Sequence, residues 1–290
     1  MRPLVLAVHG SAPPGAGLTL RRLCDRVERL GGVRPVIGHL DHQSPSLAEA
    51  LLDRRSLSLA EAVLDRRSPS LAEALEESGR EVEASVVVPL LLGDGYHRTV
   101  DIPAVVEASS GQGRGCVLAE GLRGDPGIAL ALRDRLCEAE RRAGVRADAV
   151  VLAAAGSSRP GGNDGALVAA RQLRALLPGV PVRTAYCSAA EPPVPEAVAR
   201  LRGAGHRRVV VAAHLLAPGR FTVALAEAGA DAVAEPIADH PAVASLVLRR
   251  YESAAAQDAL ALRRREPAAA QDAPALRRPG VPAPPLGAAA

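Results

Sequence analysis

The chain has 290 residues, 35 basic and 32 acidic side chains, a net charge of +3 and a hydrophobic fraction of 48%. That hydrophobic fraction and the balanced charge exclude a disordered chain and predict one large domain or two ordinary ones. Aromatic residues make up 1% of the chain, and every basic residue is arginine. The scarcity of stacking residues predicts that the protein does not bind nucleic acid, and the absence of lysine excludes Schiff-base chemistry and a P-loop lysine.

The sequence contains no segment that predicts export or membrane insertion. Its apolar runs are shorter than the roughly 18 residues that a membrane span needs, and the N-terminal MRPLVLAVHGS lacks the long apolar core of a secretory signal. The four cysteines are dispersed without a CxxC pair, which is typical of reduced thiols in packing positions. We therefore expect a cytoplasmic protein that does not contact a membrane.

Short runs rich in Val, Leu and Ile alternate with amphipathic segments rich in Ala, Leu, Arg and Glu. This alternation predicts βαβ units and a largely parallel, buried sheet, so the expected fold class is α/β, doubly wound. The predicted strands are 3–8, 34–39, 84–91, 115–119, 148–155, 181–186 and 207–213. The predicted helices are 17–31, 46–78, 126–143, 163–177, 194–204, 221–228 and 241–251.

The two halves of the chain resemble each other. The segment LAVHGS at 6–11 parallels LAAAGSS at 152–158, and VVVPLLLGDGYHRTV at 86–100 parallels VVVAAHLLAPGRFTV at 209–223. A duplication explains this order and predicts two tandem lobes, each a mostly parallel sheet flanked by helices.

The predicted lobes are residues 1–120 and 121–253, and they differ in chemistry. His9 in the first lobe is matched by Ala155 in the second, and His97 is matched by Phe221. A site that needs both histidines therefore belongs to the first lobe.

Two low-complexity regions interrupt or follow this pattern. Residues 44–79 hold three copies of a 12-residue unit, each with an S-x-x-E capping box. Twelve residues turn a helix face by about 120°, so the extra copies would lose register with a core, and we predict a projecting helical insertion. Residues 254–290 repeat AAAQDA and end in Pro, Ala and Gly, which predicts a disordered tail.

Ligands of open α/β sheets bind at the carboxyl ends of the strands. His9 ends the first predicted strand, and His97 follows the strand and loop VVVPLLLGDGYH. Both side chains can therefore face one cleft. Their positions alone are compatible with two interpretations: His9 and His97 are hydrogen-bonded structural residues, or they are a pair of ligands.

Four segments are similar to the sirohydrochlorin chelatase family, the class II, ATP-independent enzymes that insert cobalt or ferrous iron into a tetrapyrrole. They are VHGS at 8–11, PLLLGDGYHRTVDIP at 89–103, AGSS at 155–158 and HLLAPGRF at 214–221. The resemblance covers about residues 3–251, in the long duplicated form. It implies a lyase-type chelatase of siroheme or cobalamin biosynthesis, with no cofactor beyond the substrate metal.

The resemblance also implies site residues. His9 and His97 are the expected metal-binding and proton-accepting pair, because a neutral imidazole is a suitable ligand for Fe²⁺ or Co²⁺ and a base with an ordinary pKa of about 6.5. Asp41, with His39 and His42 alongside, occupies the place of the acidic residue that the family often carries after its second strand. Asp41 is therefore the expected third ligand.

The tetrapyrrole carries carboxylates that arginine side chains and backbone donors could bind. The predicted substrate-binding residues are Ser11, Gly95, Tyr96, Arg98, Arg159 and Arg220. Each of these arginines could also be an ordinary surface residue without a role in binding. The apolar segments at 90–96 and 215–219 are expected to wall an open cleft.

Three further histidines carry no catalytic expectation. The resemblance gives no catalytic role to His214 or His240, and His206 precedes a strand beside two arginines, as an exposed residue would. We expect a monomeric chelatase that inserts iron, with cobalt as the second choice. The alternative is a non-catalytic carrier of a metal or tetrapyrrole with the same fold. An α/β-hydrolase elbow and a dinucleotide-binding glycine motif are missing from the sequence.

Overall fold

The computed structural model describes residues 2–9, 14–40, 84–111 and 115–265. The predicted helical insertion at 44–79 lies outside these residues. The described chain forms two four-stranded parallel sheets flanked by helices, one sheet in each half. The predicted two-lobed α/β fold is confirmed.

The first lobe is built around four short strands. Its elements are β1 (Leu4–Val8), α1 (Pro14–Gly31), β2 (Val36–His39), β3 (Ser85–Pro89), a π-helical turn (His97–Asp101), α2 (Ile102–Gly111) and β4 (Cys116–Leu118). The strand order is β2-β1-β3-β4. All five residues of β1 and of β3 are buried, because these central strands are covered on both faces and consist almost entirely of Val, Leu and Ala.

The second lobe repeats this plan. Its elements are α3 (Pro126–Ala143), β5 (Ala149–Ala154), α4 (Asp164–Leu176), β6 (Val182–Tyr186), α5 (Val194–Gly203), β7 (Val209–His214), α6 (Arg220–Ala226), β8 (Ala232–Val233) and α7 (Pro241–Arg265). The strand order β6-β5-β7-β8 is the same as in the first lobe. None of the described helices combines the length and apolar character that crossing a membrane requires.

Three elements were missing from the sequence prediction, and the first of them is the π-helical turn His97–Asp101. Helix α2 is rich in β-branched residues and contains Pro103, which mask its helical pattern. Strand β8 has only two residues, too few for a hydrophobic run.

The last helix corrects the predicted start of the tail. It runs from Pro241 to Arg265, so residues 254–265 are helical and not disordered. Ala254 is buried in the core, and Asp258 forms a 2.7 Å ion pair with Arg2. These contacts with the start of the chain stabilise a segment that is low in complexity by composition. Residues 266–290 lie outside the described part.

Helix α7 also joins the lobes. It packs against α1 and β3 of the first lobe and against α3 of the second. One continuous hydrophobic core includes Leu6 and Val88 of the first sheet, Leu152 and Val210 of the second, and Val247 of α7. The carboxyl ends of both parallel sheets therefore belong to one packed body.

Candidate functional site

The two predicted histidines meet at the carboxyl end of the first sheet. The rings of His9 and His97 have centroids 4.4 Å apart and planes inclined by 51°. Two imidazoles that bind one metal ion at right angles, through bonds of about 2.1 Å, place their centroids about 4.5 Å apart. The separation is therefore suitable for joint coordination of one ion.

The fold places each histidine by a different element. His9 directly follows β1, the strand that pairs in parallel with both β2 and β3. His97 begins the π-helical turn after the loop that follows β3. π-Helical turns are uncommon and occur often at functional sites.

Asp101 is a site residue that the sequence analysis missed. Its Oδ2 lies 2.7 Å from Nδ1 of His97, four residues earlier on the same helical turn. A carboxylate can only accept, so the contact places the proton on Nδ1, and metal binding by His97 would use Nε2. The H-x-x-x-D spacing could have indicated this pair, but only if a helix had been predicted there.

A cavity of about 950 Å³ opens beside the histidine pair. It is lined by residues that follow the central strands of both sheets, including His9 and His97 from the first lobe and Ala155 and His214 from the second. Most of its wall is aliphatic, with Leu90–Leu92 on one side and Leu215–Ala217 on the other, as the sequence predicted. No acidic side chain of the described residues lines it.

Two of the three predicted arginines line this cavity. The Nε atom of Arg98 is buried and makes no hydrogen bond to another described residue; Asp94 Oδ1 is 3.9 Å away, beyond hydrogen-bond distance. Arg220 is exposed, and its guanidinium lies 4.7 Å from the ring centroid of Phe221. Both cations face a cavity without acidic lining, so the site is suited to an anionic ligand.

The other predicted binding residues are placed less centrally. Gly95 lines the cavity. Arg159 is exposed and lies over the ring of Tyr96, 5.6 Å from its centroid, and neither side chain is part of the lining. Ser11 and Asp41 lie outside the described residues, and their roles stay predictions.

The metal ligands beyond the histidine pair also stay a prediction. Within the described ranges, no group of three or more His, Cys, Asp or Glu side chains could hold a metal ion. His39, at the end of β2, has a buried Nδ1 atom without a hydrogen-bond partner among the described residues, and burial lowers its pKa.

The loop that carries His97 rests against the second lobe. A Cβ atom on Gly165 would lie 2.2 Å from the carbonyl oxygen of Leu92, so only glycine permits this approach. Oδ2 of Asp94 in the same loop lies 2.9 Å from the guanidinium of Arg123, which comes just before α3. The second lobe therefore supports the loop on which His97 is mounted.

The remaining histidines occupy different surroundings. His240 is buried outside the cavity, where its Nδ1 accepts a hydrogen bond from Ala242 N, and burial lowers its pKa. His206 is half-buried beside Asp148, at 3.6 Å. His214 is 5% exposed and lines the cavity.

Fold and site together define a two-lobed α/β protein with a large cavity between the carboxyl ends of two parallel sheets. The sequence profile of the CbiX family matches residues 53–139 and 149–254, more than half of the chain. The chain therefore belongs to the CbiX family. A search of curated protein sequences found no match to it.

Solved structures share the whole fold. SirB from Bacillus subtilis with Fe³⁺ has a TM-score of 0.65 and 22% identity, over 89% of this chain and 98% of that one. The sirohydrochlorin chelatase SirB from Bacillus subtilis subspecies spizizenii with cobalt has a TM-score of 0.62 and 20% identity, over 89% and 97%. CbiX, described as the terminal enzyme of siroheme biosynthesis in denitrifying bacteria, has a TM-score of 0.55 and 16% identity, over 87% and 99%.

Proposed function

We propose that this chain inserts a divalent metal ion into sirohydrochlorin without ATP, and that His9 and His97 receive the ion. The observation that carries the proposal is the pair of imidazoles, 4.4 Å apart, at the wall of a 950 Å³ cavity in a member of the CbiX family. The related SirB structures contain Fe³⁺ or cobalt, which supports a metal substrate here.

The cavity suits a flat, polyanionic ligand. Its volume is near the upper end of the range of about 300–1,000 Å³ for small-molecule sites, and its facing walls are aliphatic. Arg98 and Arg220 would bind the carboxylates at the rim of the tetrapyrrole. Gly95 and the predicted Ser11 would add backbone or hydroxyl donors, and Arg159 with Tyr96 would contact a carboxylate outside the cavity.

The histidine pair would hold the ion until the macrocycle takes it over. Neutral imidazole is a suitable ligand for Fe²⁺ and Co²⁺. Asp101 orients His97 through the 2.7 Å contact at Nδ1. Asp41 remains the expected third ligand. Ferrous iron is our first choice of metal and cobalt the second.

We further infer that the protein acts as a monomer in the cytoplasm. A single chain supplies both walls of the cavity, so no second copy is needed to complete the site. Cys24, Cys116, Cys137 and Cys187 all lie in the described part of the chain and form no disulfide, as is typical of a reducing compartment. Substrate metal is the only metal that this mechanism requires.

A carrier that binds and delivers the metal or the tetrapyrrole is the second candidate. It would need the same cavity and the same histidine pair, so binding alone does not separate the two functions. Turnover separates the two functions, because a carrier consumes no more sirohydrochlorin than its own molar amount.

The test is anaerobic incubation of the purified full chain with excess sirohydrochlorin and either Fe²⁺ or Co²⁺, followed by absorbance. We expect many turnovers per chain with at least one metal, and a loss of insertion in His9→Ala. His206→Ala, which removes a histidine far from the cavity lining, is the matched control. Insertion no faster than the spontaneous reaction would refute the enzyme, and a single stoichiometric event would favour the carrier.

A further inference from the structure

His214 is a buried imidazole that faces the same cavity from the second lobe. It is the last residue of β7, and its side chain lies on the face of the sheet that carries Val210 and Ala212 of the interlobe core. It is 5% exposed and is part of the cavity lining. An imidazole in a cavity wall can offer a ring nitrogen to a ligand bound there.

The duplication shows that packing does not require a histidine there. Ala7 of β1 pairs with Pro89 of β3, and in the second lobe Ala153 pairs with Ala213. The next residues outward are Leu90 and His214, which therefore occupy equivalent places. Both line the cavity, so an aliphatic side chain fills this position in one lobe and an imidazole fills it in the other.

The surroundings keep the imidazole neutral in the empty cavity. Burial lowers the pKa of His214 to about 4. The other charged or titratable side chains that line the cavity in the described part of the chain are His9, His97, Arg98 and Arg220. Burial is the cause of the shift, so the imidazole is neutral and one ring nitrogen has a lone pair that can accept a proton.

The proposed reaction needs a base that does not bind the metal. Insertion of one divalent ion removes two pyrrole N–H protons. An imidazole nitrogen that coordinates the ion uses the lone pair that would accept a proton, so the nitrogens of His9 and His97 that bind the metal cannot also take protons at that moment. At least one acceptor must therefore lie elsewhere.

We propose that His214 is this acceptor, a proton-accepting group that the second lobe adds to the site. The inference rests on the proposed function. One pyrrole N–H bond breaks, its electron pair stays on the pyrrole nitrogen, and the proton bonds to the imidazole nitrogen of His214. The pyrrole nitrogen binds the incoming cation, and the imidazolium then returns its proton to water. The second pyrrole N–H bond also leaves its electron pair on nitrogen for the cation, and its proton passes directly to water.

The experiment compares insertion rates of the wild-type chain with those of His214→Leu and His214→Ala, at saturating metal and sirohydrochlorin. His214→Leu copies Leu90 of the first lobe, so it should fold and bind the metal-free tetrapyrrole as the wild type does. Loss of a general base lowers the rate by roughly 10²-fold or more. Free imidazole should restore part of the rate of His214→Ala, which opens a space of the right shape, and none of the rate of His214→Leu. His206→Ala should insert metal at the wild-type rate.

A wild-type rate in His214→Leu would overturn the inference and leave the chelatase assignment intact. Weaker tetrapyrrole binding with an unchanged saturated rate would also overturn it, because His214 would then bind the substrate only. Absence of insertion by the wild type would instead refute the proposed function itself.

Discussion

The two lobes of this protein share one backbone plan and carry different side chains at its equivalent positions. His9 follows the central strand of the first lobe where Ala155 follows that of the second. From Leu90 and His214, the same number of residues leads to His97 in the first lobe and to Phe221 in the second. The match between His97 and Phe221 therefore follows from the strand pairing.

This difference indicates that both copies still form the cavity wall, while each lobe carries different functional side chains. The first lobe holds the histidine pair and Asp101, which suit metal binding. The second lobe contributes an aliphatic wall, one buried imidazole and the surface on which the loop before His97 rests. Changes that make one lobe resemble the other test this division.

The largest expected effect comes from giving the first lobe the side chain of the second. His97→Phe removes an imidazole from the metal pair but leaves a ring of similar shape. We expect metal insertion to fall to the spontaneous rate, because one of the two metal ligands is lost. His240→Ala, which removes a histidine buried outside the cavity, should retain the rate, and equal losses in both variants would place the site elsewhere.

A smaller loss should follow from breaking the contact that orients His97. Asp101→Asn keeps the shape of the side chain but no longer provides a carboxylate acceptor for Nδ1. Groups that orient a metal-binding histidine typically change metal affinity by about 10–100-fold when replaced. We expect that weakening in a Co²⁺ titration, with partial recovery in Asp101→Glu. An unchanged Co²⁺ affinity in Asp101→Asn would show that Asp101 does not support metal binding by His97.

The two arginines of the cavity wall should matter more than the arginine outside it. Arg98→Gln removes a cation whose Nε is buried beside the cavity, and a charge-assisted hydrogen bond contributes about 1.5–3 kcal/mol. The KM for sirohydrochlorin should therefore rise by about 10–100-fold. Arg159→Gln should raise it less, since Arg159 is exposed and lies over Tyr96. A larger rise in KM in Arg159→Gln than in Arg98→Gln would instead indicate that the substrate binds on the Tyr96 side.

The helix that joins the lobes gives a prediction about stability. Removing residues 254–290 deletes the buried Ala254 and the ion pair between Asp258 and Arg2, and should cost on the order of 1–3 kcal/mol. Removing only 266–290, the remainder of the predicted tail, should change stability by less than about 0.5 kcal/mol. Chemical denaturation of both truncated chains measures the difference, and equal stabilities would contradict the role of 254–265.

The last prediction concerns the pH dependence of stability. Burial lowers the pKa of His214 to about 4 from 6.5, so between these values the unfolded chain binds a proton there that the folded chain does not. Stability is therefore full above pH 6.5 and falls as the pH drops towards 4. His214→Leu should reduce this slope by up to about 1.4 kcal/mol per pH unit, while His39 and His240 still contribute in the same direction. Denaturant unfolding between pH 4.5 and 7 should give a smaller slope of unfolding free energy against pH for His214→Leu than for the wild type. Identical slopes in the two chains would contradict a buried, neutral His214.

The sequence predicted the parts of this fold that rest on local pattern. Runs such as Val86–Val88 and Val209–Val211 read as buried strands, and the duplication placed His9 and His97 in one lobe. The sequence did not reveal Asp101 as a partner of His97, because α2 and the turn before it lack a clear helical pattern. Nor did it show that 254–265 is helical, because Arg2 and Asp258 meet only through the tertiary fold.

The sequence also did not predict a proton-accepting role for His214. The segment VVVAAHLLAPG shows a histidine at the end of a strand, but burial, the shared cavity and the equivalence with Leu90 depend on how the two sheets face each other. Sequence resemblance gave this position no catalytic role, and only the assembled cavity suggests one.

The most direct test of the division between the lobes is an anaerobic titration of the full chain with Co²⁺, followed by visible absorbance. The wild type and His206→Ala should bind one equivalent per chain. His9→Ala and His97→Ala should each bind much more weakly, and the double variant should show no specific binding. Two equivalents in the wild type, or one equivalent that survives the loss of both histidines, would contradict a metal site confined to the first lobe.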